Sequence, residues 1–201
     1  MAIGSWIDIK EAIKELKAGK IITFPTETVY GIGCIFDNEA AFKHLVSLKK
    51  RPPNKPFAMM GDSLDSVLSY LEPSKKALSL MKEFLPGELT VLIKAKESLP
   101  THVTLGTNVA GLRIPNSHLV RELIKGVGKP LLVTSANISG EKTATKFEDL
   151  NPIFLENTFV IKGECVSLLP STIVDATGDT LKLIREGSLP FSKLKKYWEN
   201  I

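Results

Sequence analysis

Lys49-Lys50-Arg51-Pro52-Pro53-Asn54-Lys55-Pro56 sets cations among prolines immediately ahead of an apolar run. Proline fixes φ and pushes its neighbours to extended backbone, so the spacing predicts Lys49 and Arg51 on one side of a stiff segment. Such a segment can clamp an anion with little entropy left to lose, or it can be an exposed, solvated turn. A second stretch, Phe24-Pro25-Thr26-Glu27-Thr28-Val29-Tyr30-Gly31-Ile32-Gly33, puts hydroxyls and a carboxylate at the end of an apolar run. Its glycines allow close backbone approach by a ligand, and an ordinary polar turn is the other reading. A third, Leu131-Leu132-Val133-Thr134-Ser135-Ala136-Asn137-Ile138-Ser139-Gly140, ends an apolar run in hydroxyls, an amide and a glycine. Open α/β sheets hold ligands at such strand ends, although an Asx-type loop has the same composition. The fourth joins Pro170-Ser171-Thr172-Ile173-Val174-Asp175 to Ile184-Arg185-Glu186-Gly187, with turn residues Asp175 to Asp179 between them. An antiparallel hairpin there brings Ser171 and Arg185 together at its open end. Arg113, between Leu112 and Ile114, is a cation on an apolar strand and calls for an anionic partner, either a ligand or a structural carboxylate.

The elements that must position these groups follow from periodicity. Ile7, Ile9, Ala12, Ile13 and Leu16 mark a short amphipathic helix closing at Gly19, and Ile21 to Phe24 has strand length. A helix capped by Asp37 or Asn38 buries Ala41, Phe42, Leu45, Val46 and Leu48 and stops at Pro52-Pro53. Strands are expected at 57–60, 89–93, 109–114, 131–134, 158–161, 172–174 and 181–184, with helices opening near Ser63, Ser74, Asn116 and Phe147 and after Pro190. Alternating strands and helices ending in a hairpin predict an α/β fold with a mixed sheet, formed as a single domain over residues 1–201.

With 201 residues, a net charge of +4 and 43% hydrophobic residues, the composition is that of a folded globular chain with mild attraction to polyanions. Cys34 and Cys165 form no metal or disulfide pattern, which fits a reducing cytoplasm, and neither a signal peptide nor a membrane span is visible. Gly126-Val127-Gly128-Lys129 lacks the spacing of a phosphate-binding loop, and the histidines form no zinc or hydrolase motif.

In order along residues 20–187, Pro25-Thr26-Glu27-Thr28-Val29-Tyr30-Gly31, Lys49-x-Arg51-Pro52-x-x-Lys55-Pro56, Ser135-Ala136-Asn137-x-Ser139-Gly140, Ser171-Thr172-Ile173-Val174-Asp175 and Arg185-x-Gly187 closely resemble the YrdC-like family. The resemblance implies a twisted mixed sheet with helices around a basic cavity, in the short form that lacks a further C-terminal domain. It implies a nucleotidyltransferase that condenses L-threonine, bicarbonate and ATP, with Mg2+, into threonylcarbamoyl-AMP and pyrophosphate. The adenylate would then serve N6-threonylcarbamoyladenosine formation on tRNA through tRNA-modifying protein partners.

By the same resemblance, Lys49 and Arg51 are the catalytic cations. Arg51, Lys55, Ser135, Asn137 and Arg185 fall to ATP, Thr28, Arg113 and Ser171 to L-threonine, and no residue to a protein-held metal. Two positions depart from the family pattern. Glu88 stands where a second proline is common, just before Thr90, and Met59-Met60 replaces a pair that often includes a polar residue. A different class of reading is a tRNA or ribosome maturation factor that binds double-stranded RNA or tRNA in the basic cavity. The 7% aromatic content, without aromatic-basic interleaving, speaks against it.

Overall fold

A computed structural model describes residues 6–201 except Pro53, so the predicted proline break after the second helix and the N-terminal five residues lie partly outside the described residues. The elements run α1 (Trp6–Lys17), β1 (Ile22–Phe24), β2 (Gly31–Ile35), α2 (Glu39–Leu48), β3 (Ala58–Met60), α3 (Asp65–Leu68), α4 (Lys75–Phe84), β4 (Leu89–Lys94), α5 (Thr101–Thr104), β5 (Val109–Arg113), α6 (His118–Val127), β6 (Leu131–Ser135), α7 (Pro152–Asn157), β7 (Phe159–Val160), β8 (Thr172–Asp175), β9 (Lys182–Arg185) and α8 (Phe191–Glu199). Near Phe147 the chain makes only a 3-10 turn, and the helix expected there opens at Pro152 behind the Asn151 cap.

The strands form one mixed nine-stranded sheet in the order β7-β1-β2-β6-β3-β5-β4-β8-β9. The terminal hairpin pairs antiparallel as expected, with Ile173 opposite Arg185 and a register shift beside it. Strand β2 was not anticipated: its Gly-Ile-Gly sequence looks like a turn, yet it pairs with β1 on one side and β6 on the other. Gly33 explains the composition, since a Cβ there would lie 2.6 Å from the Leu132 carbonyl oxygen.

Helix α2 starts where Asn38 accepts the Ala41 N–H at 3.0 Å, and it buries Ala41, Phe42, Leu45 and Leu48 while Val46 is half-buried. Its end differs from the expected extended segment. Lys49 is still helical, Lys50 is left-handed at φ 49, and the Lys50 and Arg51 N–H groups return to Ser47 and Val46. That pattern closes a helix with a Schellman turn, in which the left-handed residue is usually glycine.

Alternation along the strands separates two apolar layers. Met59, Val91, Leu112 and Val174 pack with residues of α2, α4 and α8, whereas Ile22, Phe24, Met60, Leu131 and Val133 pack under α1 and α6. The second layer stops near Met60. Ala58, Gly111, Leu92, Thr90 and Ile173, which share its face by register, line an open cavity instead.

Candidate active site

Beyond the layer packed under α1 and α6, this face opens into a cavity of about 500 Å³. Ala58, Gly111, Leu92 and Ile173 give it an apolar floor, and the small residues at 58 and 111 keep that floor low. Arg51, Lys55, Arg113 and Arg185 line it with positive charge, and no aspartate, glutamate or histidine does so among the described residues. Thr26, Thr28, Tyr30, Thr90, Thr134, Thr143, Ser135 and Ser171 add hydroxyl-bearing residues to the lining.

At one end, β5 delivers Arg113 beside the loop after β1. Its Nη2 donates to Glu27 Oε1 at 2.8 Å and to Thr28 Oγ1 at 2.9 Å. Thr28 Oγ1 lies 2.8 Å from Thr26 Oγ1, whose hydroxyl also reaches the Val29 carbonyl at 2.8 Å. The hairpin supplies the neighbouring wall: Ser171 Oγ and Thr90 Oγ1 are 3.0 Å apart, and Arg185 Nη2 donates to the Ser171 carbonyl at 2.7 Å. Burial first and the charge of Arg113 second lower the Arg185 pKa below the ordinary arginine value. Two guanidiniums that disfavour each other across a partly desolvated space are suited to receive an anion.

At the other end, Arg51 organises the proline segment as a fork. Nε donates to the Lys55 carbonyl at 2.9 Å, Nη2 to the Pro56 carbonyl at 2.7 Å and Nη1 to Thr134 Oγ1 at 3.3 Å. The guanidinium lies over the Phe57 ring, 4.6 Å from its centroid. Burial lowers its pKa too. Lys55 is exposed at the cavity edge.

Two residues expected at the ligand sit behind the wall. Lys49 is buried, and its Nζ donates to the backbone carbonyls of Ser135 and, at 2.6 Å, of Asn137, while its own carbonyl accepts the Ser139 N–H at 3.0 Å. It ties the helix end to the loop after β6. Burial, followed by the charge of Arg51, brings the Lys49 pKa down to about 7. Asn137 is likewise committed: Nδ2 donates to the carbonyls of Ile138 and Glu141, and Oδ1 accepts from Ser135 Oγ at 2.5 Å. Thr28, Arg51, Lys55, Arg113, Ser135, Ser171 and Arg185 do line the cavity. Thr90 and Met60, whose places in the family pattern are altered, line it as well, as do Thr134 of the third stretch and Thr143, which no motif marks.

With neither carboxylate nor imidazole in the lining, the site offers positioning and charge neutralisation more than proton transfer. Residues 14–187 match the model of the Sua5, YciO and YrdC proteins, described as telomere recombination. The chain belongs to the Sua5/YciO/YrdC family. All of the cavity cations fall inside the matched span.

Within this family, the chain is 35% identical over 185 residues to the threonylcarbamoyl-AMP synthase of Photorhabdus laumondii, covering 89% of this chain and 95% of the relative. Pyrococcus abyssi Sua5 complexed with L-threonine superposes with a TM-score of 0.88 at 32% identity, over 94% of this chain and 56% of that one. The chain thus spans little more than half the length of this archaeal Sua5. Escherichia coli YciO superposes with a TM-score of 0.81 at 26% identity, covering 89% and 88% of the two chains.

Proposed function

We propose that this protein condenses L-threonine, bicarbonate and ATP into threonylcarbamoyl-AMP and pyrophosphate. The observation that carries the reading is the cavity itself. A hydroxyl and guanidinium pocket around Thr28, Arg113 and Ser171 faces an apolar floor and a second set of cations at Arg51 and Lys55. The first set suits an amino acid with its carboxylate, and the floor and second set suit a nucleoside triphosphate. The names of the synthase relative and of the threonine-bound Sua5 point the same way.

The threonine amine and bicarbonate yield a carbamate with loss of water. A carbamate oxygen then attacks the α-phosphorus, and the bond to pyrophosphate breaks in line. Negative charge gathers on the transferring and leaving oxygens, and the cavity guanidiniums stabilise it. Of the cations, Arg51 acts on the phosphates and Arg185 sits between the nucleotide and the threonine wall. Lys49 acts one layer back by holding the Ser135–Asn137 loop in place. Among the described residues no carboxylate lines the cavity, and a magnesium ion would arrive on the ATP phosphates. The product would pass to cytoplasmic tRNA-modifying partners for N6-threonylcarbamoyladenosine synthesis.

Mass spectrometry of the reaction with all three substrates tests the reading. A threonylcarbamoyl-AMP peak that vanishes when threonine is omitted is the expected result. ATP turnover that ignores threonine would remove the reading's basis.

A further inference from the structure

Glu27 lies just behind the cavity wall, next to Thr28 but outside the lining, and its bonds join three parts of the fold. Its Oε1 accepts from Arg113 Nη2 at 2.8 Å and from the Asn116 N–H at 3.0 Å, at the entry to α6. Its backbone carbonyl accepts the N–H groups of Val166 and Ser167, at 3.2 and 2.9 Å, in the strap that leads to Ser171. Both side chains of the ion pair are largely buried, Arg113 at 6% exposure and Glu27 at 11%. Yet the pair is incompletely satisfied, because Glu27 Oε2 and Arg113 Nε are buried with no hydrogen-bond partner.

An ion pair selected for stability alone would satisfy those atoms, since buried orphans cost free energy and buried pairs are weak stabilisers. The arrangement does something else well. Nη2 is held by Glu27 and Thr28, which fixes the rotation of the guanidinium plane; Nε is shut in the interior, and Nη1, bonded to no described residue, is left as the donor for a ligand oxygen in the cavity that Arg113 lines.

We infer that Glu27 is a positioning residue that locks the Arg113 guanidinium so that its free donor meets the carboxylate of the amino-acid substrate. This inference rests on the proposed condensation for its substrate. A Gln at 27 can still accept through its oxygen but carries no charge, so it holds the Arg113 guanidinium more weakly than the carboxylate does. The effect should fall on the amino acid and spare the nucleotide, whose side of the cavity Glu27 does not touch.

Two measurements on the full chain test it. In steady-state pyrophosphate release, Glu27→Gln should raise the threonine KM about tenfold or more while the ATP KM stays within about twofold. Equal rises in both KM values, or no change in either, overturn the inference. Independently of any reaction, the Arg113 Nε–H signal in a 15N NMR spectrum, assigned by its loss in Arg113→Lys, should be resolved in the unsubstituted protein and averaged with the bulk arginine signals in Glu27→Gln. An unchanged Arg113 signal in a folded Glu27→Gln protein overturns the inference even if the chain turns out to use a different amino acid. Absence of threonine-dependent release in the unsubstituted protein, with the NMR change present, instead counts against the proposed substrate alone.

Discussion

The Nζ of Lys49 donates to the carbonyl of Asn137 at 2.6 Å, joining a helix end to a loop 88 positions further along the chain. The Ser135 carbonyl, which also takes the Asn137 N–H at 3.0 Å, is its second acceptor. Even the neutral amine keeps two N–H bonds, enough for both acceptors.

Lys49→Met removes those donors with little change of volume. It should destabilise the fold by about 1–3 kcal/mol near neutral pH, because the part-buried Asn137 carbonyl loses its donor and the Ser135 carbonyl one of two. The folded pKa of about 7 lies below the ordinary lysine value of 10.5. Between these values the unfolded chain binds more protons than the folded one, so raising the pH favours folding of the native protein. The stability gap between native and Lys49→Met should therefore widen from pH 7 to 9, by up to about 1.4 kcal/mol per pH unit. Chemical denaturation of both proteins across that range checks it, and a constant or shrinking gap counts against a buried, depressed lysine.

Lys50 adopts φ 49 at the end of α2, where glycine is the usual occupant. Lys50→Gly should raise stability by about 1 kcal/mol, or roughly 2–4 °C in Tm for a chain of this size, with pyrophosphate release unchanged. Thermal melts read the first and the steady-state assay the second.

Arg51 uses Nε, Nη1 and Nη2 on three different acceptors while stacking over Phe57. Lysine restores the charge but not the fork. Arg51→Lys should therefore fall in kcat/KM for ATP nearly as far as Arg51→Ala, about a hundredfold or more. Recovery of most activity in Arg51→Lys would mean that charge alone matters there.

The glycines of the sheet separate by what surrounds them. A Cβ on Gly33 meets the Leu132 carbonyl oxygen at 2.6 Å, whereas one on Gly111 meets the ends of Leu92 and Thr90 side chains at 3.3 and 3.5 Å. Gly33→Ala should cost about 1–3 kcal/mol in denaturant titration. Gly111→Val should fold but occupy the cavity floor, raising the ATP KM in the same assay.

Much of this was legible in the sequence because its signals are local. The Asn38 cap, the apolar stripe of α2 and the turn residues Asp175 to Asp179 each specify structure within a few positions, and each element is in place in the fold. Arg113 needed an anionic partner, and it has one in Glu27 as well as a place at the cavity. What escaped depends on distant partners. Strand β2 looks like a turn until Leu132 is known to pass over Gly33. The protein partners of Lys49 and Asn137 lie far along the chain or in a loop, and no local pattern foretells them. Thr143 is an ordinary threonine in sequence, and only the closing of the sheet brings it to the cavity beside Thr134 and Ser135.

The most direct test uses ¹³C-labelled bicarbonate with ATP and L-threonine. A cavity that gathers all three substrates predicts an adenylate whose carbamoyl carbon carries the label, formed together with pyrophosphate. An unlabelled threonyl adenylate, or pyrophosphate release that persists without bicarbonate and threonine, would contradict it.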